Sequence, residues 1–179
     1  EVVVSPPLHF DHAGGNTWVE AGDPAAPARP AFPGTRHVVQ KGEFEFAHLD
    51  NERIRASYMP KNYDPVHEAG LWDFVGGRAE IVPGVSVLPT PGHTPHHQSV
   101  LLESAGQTAC YLADVVPTTA HLPLPWIMGY DLEPLVTLES KRELLARARD
   151  EQWLLIFEHD PVVPWGRLDP GEERPTVVE

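Results

Sequence analysis

Residues 8–15 read Leu8-His9-Phe10-Asp11-His12-Ala13-Gly14-Gly15, and they follow a β-branched run at 2–4 and the prolines Pro6 and Pro7. The run at 2–4 predicts a strand that ends in a loop, because neither proline can donate to a sheet ladder. Two imidazoles and one carboxylate therefore fall within four positions just beyond a strand. Imidazole and carboxylate are the ligands that Zn²⁺ or Fe²⁺ accepts in the absence of thiolates.

Three further segments of the same kind follow strand-like runs. They are Pro91-Gly92-His93-Thr94-Pro95-His96-His97, Ala113-Asp114 and Glu158-His159-Asp160. Ligands at strand ends are held by stiff backbone and converge at one edge of a sheet. The four segments together therefore predict one metal site. The remaining histidines, which we interpret as surface or hydrogen-bonded core residues, are His37, His48, His67 and His121.

The composition of the chain limits the classes of protein to consider. Its 179 residues favour one domain, and 13 Lys and Arg against 26 Asp and Glu give a net charge of −13. This acidic balance argues against nucleic acid as the main partner. A single cysteine excludes an internal disulfide and a cysteine-based zinc site. No apolar run approaches about 18 residues and no signal peptide is visible, so we expect a cytoplasmic protein without a membrane partner.

Strand and helix patterns interleave along the chain, which predicts an α/β or α+β fold. The predicted strands lie at 2–4, 36–40, 81–88 (a hairpin), 98–103, 108–112 and 154–157. The clearest helix pattern covers 135–153, with Leu138, Leu144, Leu145 and Ala148 near one apolar stripe and charged residues such as Lys141 on the other faces. A second helix is indicated over 43–58. The Pro-rich and Gly-rich stretches at 22–34 and at the end of the chain predict a surface loop and a tail.

The string at 8–15 resembles the metal-binding motif of metallo-β-lactamase superfamily hydrolases. Pro91-Gly92-His93-Thr94-Pro95 is similar to the next motif of that family, Asp114 to its bridging carboxylate and His159 to its last ligand. The match extends from residue 1 to about residue 161. The resemblance implies a single domain over residues 1–179, built as the four-layer αβ/βα sandwich of the family with a one- or two-metal site at the sheet edges.

The resemblance also implies a role for each matching residue. The implied ligands are His9 and His93 for a first metal, Asp11, His12 and His159 for a second, and Asp114 as the bridge between them. His97 matches a family histidine that lies beside the site, and we do not count it as a ligand. The metal implied is zinc, at up to two sites, with iron or manganese as alternatives.

Asp11 and Asp114 are the implied catalytic residues. A water shared between two cations becomes hydroxide near neutral pH, and Asp11 can orient that hydroxide and carry a proton toward the leaving group. We therefore expect a metal-dependent hydrolase of a small ester-, lactone- or phosphoester-like molecule. The alternative is a catalytically impaired metal-binding or interaction protein with a vestigial site.

The sequence departs from the family pattern at three positions. Pro7 stands where the motif has its first histidine, which would weaken the first metal site. His96 stands where a glycine is usual, and it is either a replacement ligand or a surface residue. Ala113 stands where a glycine commonly precedes the bridging carboxylate, and it would be strained if the backbone there needs a positive φ.

The start of the chain and a central loop add two further expectations. Only eight residues precede His9, where the family has several strands, so we expect an N-terminal layer that is truncated or supplied by a partner or a second copy of the chain. The apolar loop at 122–130 either walls a pocket or packs as a Pro-rich connection over the sheet.

Overall fold

The computed structural model describes residues 1–21, 23, 26–169 and 176–178. The chain divides into two compact units, Glu1–Gly76 and Gly77–Glu179, each with its own set of internal contacts. Parts of the predicted loop at 22–34 and most of the predicted tail lie outside the described residues. The single domain expected over residues 1–179 stays a prediction.

The described part of the first unit is built on short strands and one-turn helices. Its strands are β1 (Val2–Val4), β2 (Thr17–Trp18), β3 (Arg29–Pro30), β4 (Arg36–Gln40) and β5 (Trp72–Val75). Its helices are α1 (Phe10–Ala13), α2 (Lys41–Phe46) and α3 (Asp64–Glu68). The strands β1, β4 and β5 form a parallel sheet with β4 in the centre, while β2 pairs with β3 antiparallel. The predicted strands at 2–4 and 36–40 are confirmed.

The helix predicted over residues 43–58 is wrong beyond its first turn, because α2 ends at Phe46. The side chain of Asn51 accepts a hydrogen bond from the backbone N–H of Arg53 (2.8 Å), a local turn that competes with the helix. Ile54 and Tyr58 are nevertheless buried, as their spacing indicated. Turns rather than a helix carry these two side chains into the core.

The second unit contains a mixed sheet and the longest helix among the described residues. Its strands are β6 (Ala79–Val82), β7 (Val85–Pro89), β8 (Gln98–Ser104), β9 (Gln107–Tyr111), β10 (Leu154–Ile156), β11 (Trp165–Leu168) and β12 (Val177–Val178). They lie side by side in that order; β9 and β10 pair in parallel, and the other neighbours pair antiparallel. The helix α4 runs from Pro134 to Asp150. The predicted strand pairs and the predicted helix are thus confirmed, with small shifts at their ends.

One turn residue, Gly84, explains why the first hairpin forms where the sequence indicates. Gly84 has a φ of 78°, and a Cβ atom there would lie 2.6 Å from the carbonyl oxygen of Glu103 on the neighbouring strand. A glycine is therefore required both by the backbone conformation and by the close approach of β8. The backbone N–H of Glu103 in turn donates to the carbonyl of Gly84 (2.8 Å).

The helix α4 covers the core of the second unit with Leu144, Leu145 and Ala148, which pack in one cluster with Trp153 and Leu155. Each leucine buried in this way contributes about 1.5–3 kcal/mol to stability. The placement of Lys141 with the solvent-facing charges is wrong, because its side chain is fully buried. Lys141 lies seven residues before Ala148 and four after Thr137, both buried, so it belongs to the inward stripe of the helix.

Within the described ranges, α4 is too short and too polar to span a bilayer, and the same holds for every other helix.

Candidate metal centre

A buried carboxylate supports the start of the histidine motif in the first unit. Glu43 accepts hydrogen bonds from the backbone N–H of Leu8 (3.0 Å) and from the hydroxyl of Tyr58 (2.7 Å). The ring of Tyr58 meets the ring of His9 edge to face, with centroids 4.7 Å apart. Glu43 therefore fixes both the backbone before His9 and the aromatic ring against which His9 packs. Glu43 carries no motif by which the sequence alone would identify it.

The motif itself forms the single turn of α1. His9 precedes the helix in an extended conformation, and its carbonyl accepts the backbone N–H groups of His12 (3.1 Å) and Ala13 (2.8 Å). The side chain of His12 is 1% exposed, whereas the side chain of Asp11 is 41% exposed. The Nε2 atom of His12 lies 3.8 Å from Oδ2 of Asp11. This turn thus presents a buried imidazole and a solvent-accessible carboxylate side by side. Pro7, which replaces the expected histidine, is buried one residue before Leu8.

The second unit presents His93 in a tight turn. Gly92 has a φ of 133°, and a Cβ atom there would lie 2.3 Å from the backbone nitrogen of Thr137. The carbonyls of Gly92 and His93 accept the backbone N–H groups of Glu133 (2.9 Å) and Leu132 (3.2 Å). The glycine of the Pro-Gly-His motif is therefore needed so that the turn can lie against the start of α4.

His93 lies between two carboxylates. Its Nδ1 is 2.9 Å from Asp131 Oδ1, and its Nε2 is 3.1 Å from Asp114 Oδ2. Burial lowers the pKa of His93, but the hydrogen bonds and charges of Asp114 and Asp131 outweigh burial and raise the pKa to about 9. The surroundings of this imidazole thus strongly favour its protonated, positively charged form. Asp131 is not among the residues predicted from the sequence, because it lies 38 residues from His93 and carries no motif.

Asp114 stands at the centre of the second unit's cluster. Its Oδ2 faces His93 Nε2 and its Oδ1 faces His159 Nε2, each at 3.1 Å, and its side chain is 4% exposed. Each carboxylate oxygen therefore has its own imidazole, which is the arrangement expected of a carboxylate that bridges two cations. The preceding residue, Ala113, is buried and has a φ of 48°. The strain expected for an alanine in place of a glycine is therefore present, at a cost of about 1–2 kcal/mol.

His97 supports Asp114 through the backbone. Its Nε2 accepts the backbone N–H of Asp114 (3.2 Å), while its Nδ1 lies 3.0 Å from the carbonyl of Thr90. This network assigns the proton to Nδ1, and it engages both ring nitrogens with protein groups. The structure therefore gives His97 a supporting place beside the cluster, whereas His96 is exposed in the same turn.

His159 follows β10, and its neighbour Asp160 secures the turn that carries it. The backbone N–H of His159 donates to the carbonyl of Pro117 (3.1 Å). The carboxylate of Asp160 accepts hydrogen bonds from the backbone N–H groups of Val163, Thr119 and Val162 and from the Thr119 hydroxyl. These hydrogen bonds, led by that of Val163, hold the pKa of Asp160 well below its usual range. Asp160 therefore ties the segment at 117–119 to the turn of His159.

The four remaining histidines all contact neighbouring groups. His67 is exposed, and its ring lies against that of Phe44 with centroids 4.9 Å apart. His37 is fully buried and meets Trp72 edge to face. His48 bonds the carbonyl of Phe44 and the carboxylate of Asp64, and His121 bonds the hydroxyl of Thr118. The contacts of His48 and His121 agree with their interpretation as surface or hydrogen-bonded residues, whereas neither ring nitrogen of the buried His37 has a hydrogen-bond partner among the described residues.

The donor atoms of the second unit fit a divalent transition metal. Two imidazole Nε2 atoms flank the two oxygens of one carboxylate, and Asp131 holds the other ring nitrogen of His93. A carboxylate behind a histidine ligand is a common way to fix its orientation. The lone cysteine takes no part, because Cys110 lies in the hydrophobic core and burial raises its pKa to about 12. The set of imidazole and carboxylate donors suits zinc, iron or manganese.

Replacing Asp131 by alanine is expected to weaken metal binding about 10- to 100-fold, because His93 loses the acceptor that orients its ring. The Asp131→Asn variant keeps an acceptor oxygen and is expected to lose less. Titration of the purified variants with a metal-binding chelator measures both affinities. An alanine variant that binds metal within twofold of the unchanged protein would show that Asp131 does not support a ligand.

Comparisons with known proteins give a consistent set of matches. The family model described as the metallo-beta-lactamase superfamily matches residues 8–159. An N-acyl homoserine lactonase of a Bacillus species is 33% identical over 162 residues, which is 88% of this chain and 55% of the relative. The chain thus spans little more than half the length of this curated relative.

Two solved structures are similar over most of the chain. A probable metal-dependent hydrolase from Staphylococcus aureus is 27% identical with a TM-score of 0.87, over 98% of this chain and 60% of that one. An N-acyl homoserine lactone hydrolase with the product N-hexanoyl-L-homoserine bound at its catalytic metal center is 31% identical with a TM-score of 0.68, over 89% of this chain and 56% of that one.

Proposed function

Because the chain belongs to the metallo-β-lactamase superfamily and has its fold, we propose that it is a metal-dependent hydrolase that opens a small lactone. The observation that carries the proposal is the Asp114 carboxylate, whose two oxygens each face a different histidine Nε2 at 3.1 Å. A purely structural ion pair would not need a separate imidazole for each oxygen.

We assign the metal ligands by motif. The proposed ligands are His9, Asp11, His12, His93, Asp114 and His159. His9, Asp11 and His12 lie on or next to one helical turn of the first unit, and the other three lie in the cluster of the second unit. With Pro7 in place of a histidine, the first metal would have one ligand fewer than the family pattern provides. We propose zinc as the metal, with iron or manganese as alternatives.

The bound metals would supply an activated water and polarise the carbonyl of the substrate. Opening a lactone requires that water adds to the carbonyl carbon, that the ring C–O bond breaks, and that the leaving oxygen gains a proton. We assign the proton transfer to Asp11, because its carboxylate is 41% exposed next to the nearly buried ring of His12. Asp131 and His97 hold His93 and Asp114 in place and do not react themselves.

The choice of substrate rests on relatives and charge. The Bacillus relative at 33% identity is named an N-acyl homoserine lactonase, which supports a lactone ahead of a phosphoester. The net charge of −13 disfavours a polyanionic substrate. A small, uncharged lactone agrees with both observations.

One observation favours a second function, a metal-binding protein without hydrolytic activity. Pro7 occupies the position of a ligand, and a proline ring cannot coordinate a metal. In this alternative the protein binds a single metal ion and hydrolyses neither lactones nor phosphoesters.

The release of acid during hydrolysis of an N-acyl homoserine lactone tests the proposal. We expect a rate that falls to background after a chelator removes the metal and that recovers when Zn²⁺, Fe²⁺ or Mn²⁺ is added. A rate that is indifferent to the chelator would contradict a metal mechanism. A metal-loaded protein that hydrolyses no lactone, ester or phosphoester would support the alternative.

A further inference from the structure

The buried Lys141 of α4 is surrounded by backbone carbonyls. Its Nζ donates to the carbonyls of His121 (2.7 Å), Trp126 (2.8 Å), Pro123 (3.1 Å) and Leu124 (3.3 Å). An ammonium has three N–H donors, so the four carbonyls share them. All four belong to the apolar loop at 122–130 or to the residue that precedes it.

A charged group in this position is unfavourable unless it is well compensated. Burial lowers the pKa of Lys141 to about 8, while the charge of Asp131 acts in the opposite direction. The side chain therefore still carries its charge at pH 7. An apolar residue would fill the same space in the core without desolvating a charge, so filling space does not account for the lysine.

The loop held by Lys141 is part of a longer segment that connects the two carboxylates facing His93. The segment begins at Asp114, in the 3-10 turn Ala113–Val115, and it ends at Asp131, just before α4. Its first half is tied down by Asp160 through Thr119, and its second half by Lys141. The rings of Trp126 and Tyr130 are mostly exposed, whereas Leu122 is buried in the core and Leu124 packs against it. The carbonyl contacts of Lys141 and these two leucines therefore hold this second half together.

The end of the loop determines the position of the Asp131 carboxylate. The backbone N–H of Asp131 donates to the carbonyl of Met128 (3.1 Å), two residues beyond Trp126. The next residue, Leu132, donates to the carbonyl of His93 (3.2 Å). A shift of the carbonyls at 121–126 would therefore be transmitted to the hydrogen bond between Asp131 and His93.

We propose that Lys141 is a positioning residue of the metal site: its ammonium holds the loop so that Asp131 stays on Nδ1 of His93 and Nε2 of His93 points toward Asp114. The role of His93 as a ligand rests on the proposed function. The arrangement of the loop and its effect on the orientation of the His93 ring do not rest on the proposed function.

The Lys141→Met variant removes the charge and keeps an apolar chain of similar length. We expect metal affinity to fall at least about tenfold, as it does when a residue that orients a ligand is lost. We also expect faster amide hydrogen exchange over residues 119–131. The downfield proton NMR signal of the His93 Nδ1–H, assigned by its loss in Asp131→Ala, is expected to weaken or shift.

Leu145→Ala is the matched control, because Leu145 is buried on the same helix one turn away but is not part of the carbonyl cage. It is expected to lower stability while leaving metal affinity and the His93 signal unchanged. Equal losses in both variants would overturn the inference, since destabilisation alone would then explain them. If Lys141→Met does not fold, Lys141→Gln, which keeps two N–H donors, is expected to give an intermediate loss.

The two proposals fail in different ways. If the unchanged protein binds no metal, the proposed function fails, and the His93 signal and the amide exchange still decide the role of Lys141. A folded Lys141→Met or Lys141→Gln protein with an unchanged His93 signal and unchanged exchange would overturn the inference, whatever its affinity for metal.

Discussion

The Asp114→Ala variant is expected to lose most of its bound metal and to hydrolyse lactones on the order of 1,000-fold more slowly than the unchanged protein. Asp114 is the acceptor for both His93 and His159, at 3.1 Å each, so its removal affects every proposed ligand of the second unit. Its loss also leaves the buried imidazole of His93 and the exposed imidazole of His159 without their shared carboxylate.

Asp150→Ala is the control for this variant, because Asp150 is an exposed carboxylate at the end of α4. We expect it to keep both the metal and the rate. Metal content by elemental analysis and acid release from the lactone give the two readouts. A folded Asp114→Ala protein within tenfold of the original rate would remove Asp114 from the mechanism.

The Pro7→His variant is expected to gain function. A histidine at this position completes the family motif and would give the first metal an additional imidazole ligand, which we expect to raise its affinity at least about tenfold, or about 1.4 kcal/mol. Position 7 is buried, and a proline has no backbone N–H, so the exchange removes no hydrogen-bond donor. If the first metal limits the rate, kcat/KM for the lactone should rise with metal occupancy.

Pro6→His is the control for the gain, because Pro6 is the adjacent buried proline but does not occupy the position of the first histidine in the family motif. It is expected to add neither affinity nor rate. Equal gains in the two variants would show that the effect does not depend on placing the imidazole at the motif position. Tighter metal binding by Pro7→His without hydrolysis would favour the metal-binding alternative.

The predictable part of the fold is the part that local patterns encode. The alternating residues around Pro83-Gly84 predict the hairpin, and the positive φ of Gly84 permits its turn. The helix over 43–58 was wrong because apolar spacing alone cannot tell a helix from turns that bury Ile54 and Tyr58. The strand β5 was missed, since the parallel pairing of Trp72–Val75 with β4 depends on residues that are far away in the sequence.

The same distinction holds for the candidate site. The motif residues were visible because their spacing within short segments is characteristic. Asp131, Glu43 and Lys141 were not visible, because each acts on a segment 15 to 38 residues away or on distant carbonyls. Lys141 also carries a charge, and a charged residue in a helix is usually on the solvent side. The four backbone carbonyls around its ammonium compensate for the burial of this one.

The number of metal ions retained per chain by the purified protein tests the central claim most directly. The protein would be loaded with Zn²⁺, Fe²⁺ or Mn²⁺, freed of excess ion by gel filtration and measured by elemental analysis beside Asp114→Ala. The proposed centre predicts between one and two ions per chain for the unchanged protein and close to none for the variant. An unchanged protein that retains none of the three metals, or a variant that retains as much, would contradict it.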